Sequence, residues 1–570
     1  MLFSFLLIFS SGYSESAEVY YLGSGAGQAE GGQYPSYSPG QRIKDLFDFA
    51  SVDKPLEERS GQISGTFMQE MDWNNIAGNK SKSFLTEGVD YLTEINLNMI
   101  EKLKGDYRFE GQLFLRKTDN DRIESRNDVR IKQYDMKILN ARNLYEFGQF
   151  YGDYSGFVLN DSLEGFNVEL QPAFNQKYGF IVGRSQGPDE SAGIFQRNVF
   201  GFQAEHDFAA NSEVFSKFQL GVQMASSQDD SASVNETSAI DDLNNYVYGV
   251  DGEFALRKYL SVNFELARSR NIANEDITTE KIEANGTAFR VQPKLNLGRA
   301  AVRYLFYYVH PEFYSDTGSA VSDKMQHQVG IDINISRTML LNLTDNLYWD
   351  HLEGSSKTRR TTTHEKQIAL NWKPFAAKPD FMFRPYVGFI ERYSDDPVTT
   401  VENRTRTAGF AVNTSLNETT VAGLNYEYRG YSDDANNANS DYINRFGFNY
   451  AKDTLLLNRR LYYSLGPSFD IRRTKADSNI DFNTTLSANC QWDATQRSLL
   501  RFGLNVTNTN SARVNADFLN TQDYLEYDYR LAEKRDTHVI LRGENNRYDH
   551  EDGSQEYREY RVIAKFLTRF

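Results

Sequence analysis

From Ile63 to Phe570 the chain repeats one pattern. Apolar and polar residues alternate for about ten positions, a polar break follows, and the alternation resumes. Val89, Tyr91, Thr93, Ile95, Leu97 and Met99 alternate with Asp90, Leu92, Glu94, Asn96 and Asn98. Tyr246, Tyr248, Val250, Phe254 and Leu256 alternate with Gly249, Asp251, Glu253 and Arg257. Ile480, Phe482, Leu486, Ala488, Cys490 and Trp492 do the same against Asp481, Asn483, Ser487 and Gln491. Period two puts one face of each segment in apolar surroundings and the other in polar ones. About 26 such segments can be marked, with boundaries good to about two to four residues. The fifth and sixth lie near 143–150 and 165–171, with a loop between them.

No apolar run of about 18 residues follows the start, so no helical span is present. Mean hydropathy is −0.60 and hydrophobic residues make up 40%, which by themselves suggest a soluble chain. A membrane barrel escapes such a measure, because only alternate residues of each strand meet lipid. The aromatic load fits strands and interfacial girdles, with 39 Phe and 35 Tyr against 4 Trp. A soluble propeller is the rival. No fixed-period glycine or Trp-Asp signature supports one, and strands of about ten residues suit a tilted crossing. The expected fold is therefore all-β, an antiparallel transmembrane barrel of about 26 strands, within a range of about 22 to 26.

The breaks sort into two kinds. Tight turns fall at Lys258–Tyr259, Gly298–Arg299, Arg337–Thr338, Asn417–Glu418 and Asp493–Gln496. Between them run the longer polar segments Ser226–Leu243, Arg270–Asn285, Val309–Gln326, His351–His364 and Tyr431–Tyr442. Short periplasmic turns and long external loops are the outer-membrane pattern, and an even strand number puts both barrel ends in the periplasm.

Residues 1–16 carry an apolar stretch from Leu2 to Phe9 followed by small residues, and read as a secretory signal. Residues 17–61 form a Gly/Ser/Pro-rich segment, either a periplasmic tail or a plug. Within it Ile43–Val52 could form a short amphipathic helix, with Ile43, Leu46, Phe47 and Ala50 on one face. The barrel is expected over 62–570.

The last segment is the most specific. Tyr560, Val562, Ala564, Phe566, Thr568 and Phe570 alternate up to an aromatic final residue. This resembles the terminal strand of Gram-negative outer-membrane β-barrel proteins. The resemblance implies that Tyr560, Val562, Phe566 and Phe570 are read by the barrel-assembly machinery, and that the protein sits in an outer membrane among lipid and lipopolysaccharide. Size and strand count resemble the large barrels that sheath multihaem cytochromes or export polysaccharide. Gly152-Asp153-Tyr154 followed by Ser162-Leu163-Glu164-Gly165 resembles a pattern of some export barrels, against the plainer reading of a loop with turn residues.

The charge of −16 argues against a nucleic-acid partner. No HExxH, GxSxG, P-loop or CxxCH is present, and the seven histidines are scattered, so no enzyme, resident metal or cofactor is expected. His351 and His364 flank one loop and could share a site. The acidic segments Ser226–Leu243 and Tyr431–Tyr442 offer oxygen ligands that would suit Ca2+. The single cysteine, Cys490, excludes an internal disulfide. If apolar positions face lipid, the lumen receives Arg108, Glu110, Gln112 and Arg116. It also receives Asp251, Glu253 and Arg257, then Glu526, Asp528 and Arg530, and finally Arg561, Lys565 and Arg569. About 22 strands already enclose a lumen that needs filling. Residues 17–61, an infolded 151–164 or a periplasmic partner protein could fill it. The functions that follow are a porin-like channel for hydrophilic solutes, a sheath for a cytochrome or an exported polymer, or a structural or adhesive barrel.

Overall fold

A computed structural model describes residues 61–570, apart from 84, 125–126, 190–193, 210–211, 213, 235–241, 275–281, 358, 379, 395–400, 477, 514–515 and 533–535. The chain divides into Met1–Val52 and Asp53–Phe570. The expected signal, the 43–52 helix and all but Gly61 of the 17–61 segment lie outside the described residues.

The strands in order are β1 (Gln62–Gly78), β2 (Gly88–Lys102), β3 (Arg108–Thr118), β4 (Arg130–Leu139), β5 (Asn143–Ser155), β6 (Leu159–Ala173), β7 (Gln176–Gln186), β8 (Gln196–Asp207) and β9 (Phe215–Asp230). Then come β10 (Asp242–Leu256), β11 (Leu260–Asn274), β12 (Ile282–Asn296), β13 (Ala300–Val309), β14 (Lys324–Ser336), β15 (Met339–Trp349), β16 (Thr361–Trp372), β17 (Met382–Ser394) and β18 (Glu402–Asn417). The last are β19 (Thr420–Asp433), β20 (Asp441–Leu456), β21 (Arg459–Thr474), β22 (Ile480–Trp492), β23 (Ser498–Asn510), β24 (Phe518–Ala532), β25 (Thr537–His550) and β26 (Tyr557–Arg569).

They form one 26-stranded sheet in which each strand pairs antiparallel with its sequence neighbours. β26 pairs back onto β1, from Thr66 opposite Arg569 to Gly78 opposite Tyr557, and so closes the sheet. Phe570 completes the seam by exchanging backbone hydrogen bonds with Gly65 at 2.8 and 3.0 Å. Closure leaves no free sheet edge along that seam, as a strand-built membrane protein requires.

The two faces differ. Met71, Trp73 and Val89 stand exposed on one face, as do Tyr248, Val250 and Leu266. Their neighbours in sequence, Asp72, Asn74 and Glu265, are buried among polar partners on the other face. In a closed barrel with this alternation the apolar face meets lipid and the polar face lines the lumen.

Connections also differ by side. Even-to-odd connections are mostly tight, such as 174–175, 337–338, 418–419 and 457–458. Leu457 and Asn458 both have positive φ, the geometry of a two-residue hairpin turn whose twist matches its strands. On the opposite side run 119–129, 310–323 and 350–360. Several strands continue further than the sequence marks suggest. Ser226–Asp230 belongs to β9, Arg270–Asn274 to β11, Tyr431–Asp433 to β19, and Asp441 begins β20. Their outer ends are polar, and the hydrogen-bond ladder continues past the point where apolar alternation stops.

One short connection, 156–158, lies on the long-loop side. It marks the departure that shapes the interior.

Candidate functional site

The sequence places a loop over residues 151–164. The structure replaces it with strand: β5 runs to Ser155, β6 begins at Leu159, and Asn143–Ser155 pairs with Leu159–Leu170. The correction has a physical cause. This hairpin satisfies its backbone within itself, but its outer half leaves the wall. β4 pairs with β5 only over Asp135–Leu139, and β6 pairs with β7 only up to Glu164 opposite Arg184. The departure occurs where Gly148, Gly165 and Gly183 stand in register across three strands. Gly148 has φ +120°, a backbone that other residues rarely adopt. A row without side chains lets the hairpin fold over the inner wall.

The tip then packs across the polar face of β7 to β13. Phe157, Val158 and Leu159 are fully buried, with Phe150, Tyr154 and Leu163 behind them. The wall beneath is made of small and branched residues. Ile181, Gly201, Ala225 and Val247 form one register row across β7–β10. Gly249, Ala267, Ala288 and Val309 form the next across β10–β13. A Cβ at Gly249 would lie 2.5 Å from Val158 Cγ2, so the tip can approach only a glycine there. Burying a side chain the size of Phe157 or Leu159 contributes about 1.5–3 kcal/mol each.

The 310–323 connection folds down onto the same surface. Phe313 is buried against Phe157, with ring centroids 6.0 Å apart. Thr317 Oγ1 donates to Val158 O at 2.9 Å, Asn160 N donates to Thr317 O at 2.6 Å, and Ser319 N donates to Gly156 O at 2.8 Å. Wall side chains hold both pieces. Phe157 N donates to Glu265 Oε1 at 2.8 Å, and Arg290 pairs with Glu265 at 2.7 Å. Gln223 Nε2 donates to Tyr154 O at 3.1 Å, and Asn245 Nδ2 to Tyr314 O at 2.9 Å. Arg197 bridges Asp229 and Asp316, each at 2.7 Å, while Ser227 Oγ donates to Asp316 at 2.7 Å. At the end of the connection Asp323 accepts from Ser355 Oγ at 2.7 Å and Leu352 N at 2.8 Å, with Lys357 Nζ at 3.2 Å. Burial acts to raise the Asp323 pKa, but these donors outweigh it and hold the carboxyl below its ordinary value.

The rest of the polar face carries ion pairs. Arg116 meets Glu94 at 2.7 Å, Arg108 meets Glu110 at 2.5 Å, and Lys217 meets Glu253 at 2.5 Å. Gln112 lies opposite Asp135. Asp251 accepts from Gln223 at 2.7 Å, at the foot of the covered region. Across β23–β26 and β1 the charges run together. Arg501 pairs with Glu526, Arg542 reaches Glu526 and Glu544 at 3.5 and 2.6 Å, and Arg561 pairs with Asp72 and lies 3.6 Å from Glu70 and Glu544. Lys565 meets Glu70 at 2.5 Å, and Asp528 meets His538 at 2.6 Å. Arg530 and Arg569 converge on Asp536 at 3.5 and 2.6 Å. Arg257 departs from the sequence expectation. It has φ +47° and sits in the 257–259 turn, not on the strand face. Tyr560, Val562, Phe566 and Phe570 stand exposed on the apolar face.

In the acidic segments three of the described carboxylates have partners within the protein. Asp229 is held by Arg197, Asp441 by Arg472 at 2.8 Å, and Asp433 accepts from the backbone of Ala435 and Asn436. His364 pairs with Asp345 at 2.5 Å. Among the described residues no group of three or more His, Cys, Asp or Glu could hold a metal ion.

No protein-family model and no curated protein matches the chain. Solved outer-membrane barrels do. The siderophore receptor PirA from Pseudomonas aeruginosa is similar over 90% of this chain and 81% of its own, at 12% identity and a TM-score of 0.39. The P pilus usher PapC translocation pore is similar over 89% and 99%, at 10% identity and a TM-score of 0.34. The outer membrane protein OprD from Pseudomonas aeruginosa is similar over 89% and 94%, at 10% identity and a TM-score of 0.29. The assignment to an outer-membrane barrel rests on the closed antiparallel ladder and its two unlike faces.

Proposed function

We propose that the protein is a porin-like channel for hydrophilic solutes, narrowed from within by its own β5–β6 hairpin and the 310–323 connection. One observation carries this reading: the buried seat of Phe157, Val158 and Leu159 against the wall of β7–β13. A barrel of this strand number is too wide to serve as an open diffusion pore, and something must occupy part of it. The hairpin does so on one side. The other side, from β14 round to β4, keeps a face of paired charges that holds water and solute. In this reading Arg108, Glu110, Arg116, Glu526, Asp528, Arg530, Arg561, Lys565 and Arg569 border the aqueous path. Asp251 and Glu253 lie below the constriction. Their mixed signs fit a path for polar solutes of either charge.

Planar-bilayer recording tests this. The intact protein should conduct, and replacing 151–162 with a two-residue turn should raise the single-channel conductance at least about twofold. Unchanged or lower conductance in that variant would sink the self-constriction. Silence in both proteins, with a periplasmic protein co-purifying, would move the assignment to a sheath around that partner.

A further inference from the structure

The infolding leaves a gap in the wall. Beyond Asp135, β4 pairs with β3 on one side and, among the described residues, with no strand on the other, so Arg130–Tyr134 forms an edge there. β7 pairs with β8 as far as Gln186 but loses β6 beyond Arg184. The two strands that would fill the space are inside the barrel, packed on β7–β11. Two strands of wall would take up about 14 Å here, three inter-strand spacings of about 4.8 Å.

The gap has a sill on the outer face. Tyr134 Oη donates to Glu164 Oε1 at 2.6 Å, and Arg184 Nη2 donates to Glu164 Oε2 at 2.6 Å. Below the sill the outward positions Phe147, Phe166 and Val182 are apolar and exposed, whereas the sill itself carries the charges of Glu164 and Arg184. On β5, β6 and β7 the apolar band therefore reaches the sill, while on β4 it continues past it. Beside it lies a pocket of about 450 Å³ lined by Glu164, Val182, Arg184, Asn198, Phe200 and Gln228. On the opposite flank Ile131 and Val129 are 61% and 64% exposed. Free strand edges cannot face hydrocarbon, so the slit is wet at its edges. Its flanks are apolar. Wet edges between apolar flanks suit a molecule with a polar head and an apolar body.

We propose that this slit is a lateral port, through which an amphiphile partitioned in the outer leaflet exchanges with the lumen. The hairpin both opens the port, by leaving the wall, and floors it, by lying against β7–β11. Glu164 and Arg184 meet the polar head; Ile131, Val182 and Phe200 flank the apolar body. The inference rests on the lumen space that the proposed function leaves beside the hairpin, not on conduction of solutes through it.

The test uses the full chain with Cys490→Ser, Gln133→Cys and Ser185→Cys, folded first and then bridged by a bis-maleimide of about 14 Å reach. Proteoliposomes loaded with albumin report transfer of a fluorescent lysophosphatidylcholine, and bilayer conductance reports the hydrophilic path. Bridging should cut lipid transfer about tenfold and leave conductance unchanged, because it closes the side opening alone. The unbridged protein is its own folding control. Transfer that ignores the bridge, or that falls in step with conductance, overturns the port. Absent conductance with bridge-sensitive transfer would instead overturn the porin reading and leave the port standing.

Discussion

The barrel wall keeps one alternation on its outer face but is divided inside. From β7 to β13 its inner face carries Ile181, Ala225, Val247, Ala267, Ala288 and Val309, buried beneath the hairpin. From β23 round to β3 the same face carries Arg501, Glu526, Arg561, Glu70, Glu94 and Arg116, paired with one another. The lipid-facing alternation is alike in both sectors. The difference shows that inner-face composition follows what covers it. A covered wall needs small apolar side chains and close approach, whereas a bare wall needs charges that water can solvate and neighbours can neutralise.

The largest effect should come from the latch in the covered sector. Arg197→Ala leaves Asp229 and Asp316 buried without their cation, a loss of about 3–5 kcal/mol for breaking a buried pair. Hydrogen exchange across 310–323 should rise sharply. Arg108→Gln breaks an open-sector pair that is substantially exposed, and should cost at most about 1 kcal/mol with no local change in exchange. Equal effects in the two variants would erase the distinction between sectors.

A smaller effect follows from packing. Gly249→Val puts two methyl groups where Val158 already sits 2.5 Å from an added Cβ. Overpacking of this kind costs about 1–3 kcal/mol, and the strain should be relieved by lifting the tip. Conductance should then rise toward that of the hairpin deletion. A stable variant with unchanged conductance would show that the tip does not set the constriction.

The smallest effect is on pH. Asp323 is held below its ordinary pKa in the folded state. Its contribution is fully present above the unfolded value of about 4 and is lost as pH falls through the lower folded value. Exchange at 350–357 should therefore increase on acidification below about pH 4. In Asp323→Asn that pH dependence should vanish.

Much of this was legible in the sequence. Each marked segment corresponds to one strand, because period two over about ten residues leaves few alternatives to a half-buried strand. The tight turns at 258–259, 298–299 and 337–338 fall where expected. Less legible was the interior. Residues 151–164 read as a loop because Gly152, Asp153 and Gly156 are turn formers, but only Gly156 lies in the turn, while Gly152 and Asp153 are paired within the hairpin. A signal for the cover was present. Val199, Ala225, Val247, Ala267, Ala288 and Val309 occupy positions that should be polar on six successive strands. Each looks incidental alone. Only register places Ala267, Ala288 and Val309 side by side.

What the sequence determined by itself is the strand, its two faces and its repetition, because alternation is a local property that each segment carries alone. Tertiary structure decided closure at Phe570 against Gly65, the exit of the hairpin at Gly148, Gly165 and Gly183, and the seat of Phe157 on Glu265. These depend on which residues register brings together across strands distant in the chain. Cross-strand register is set by the whole closed ladder, and no single segment encodes it.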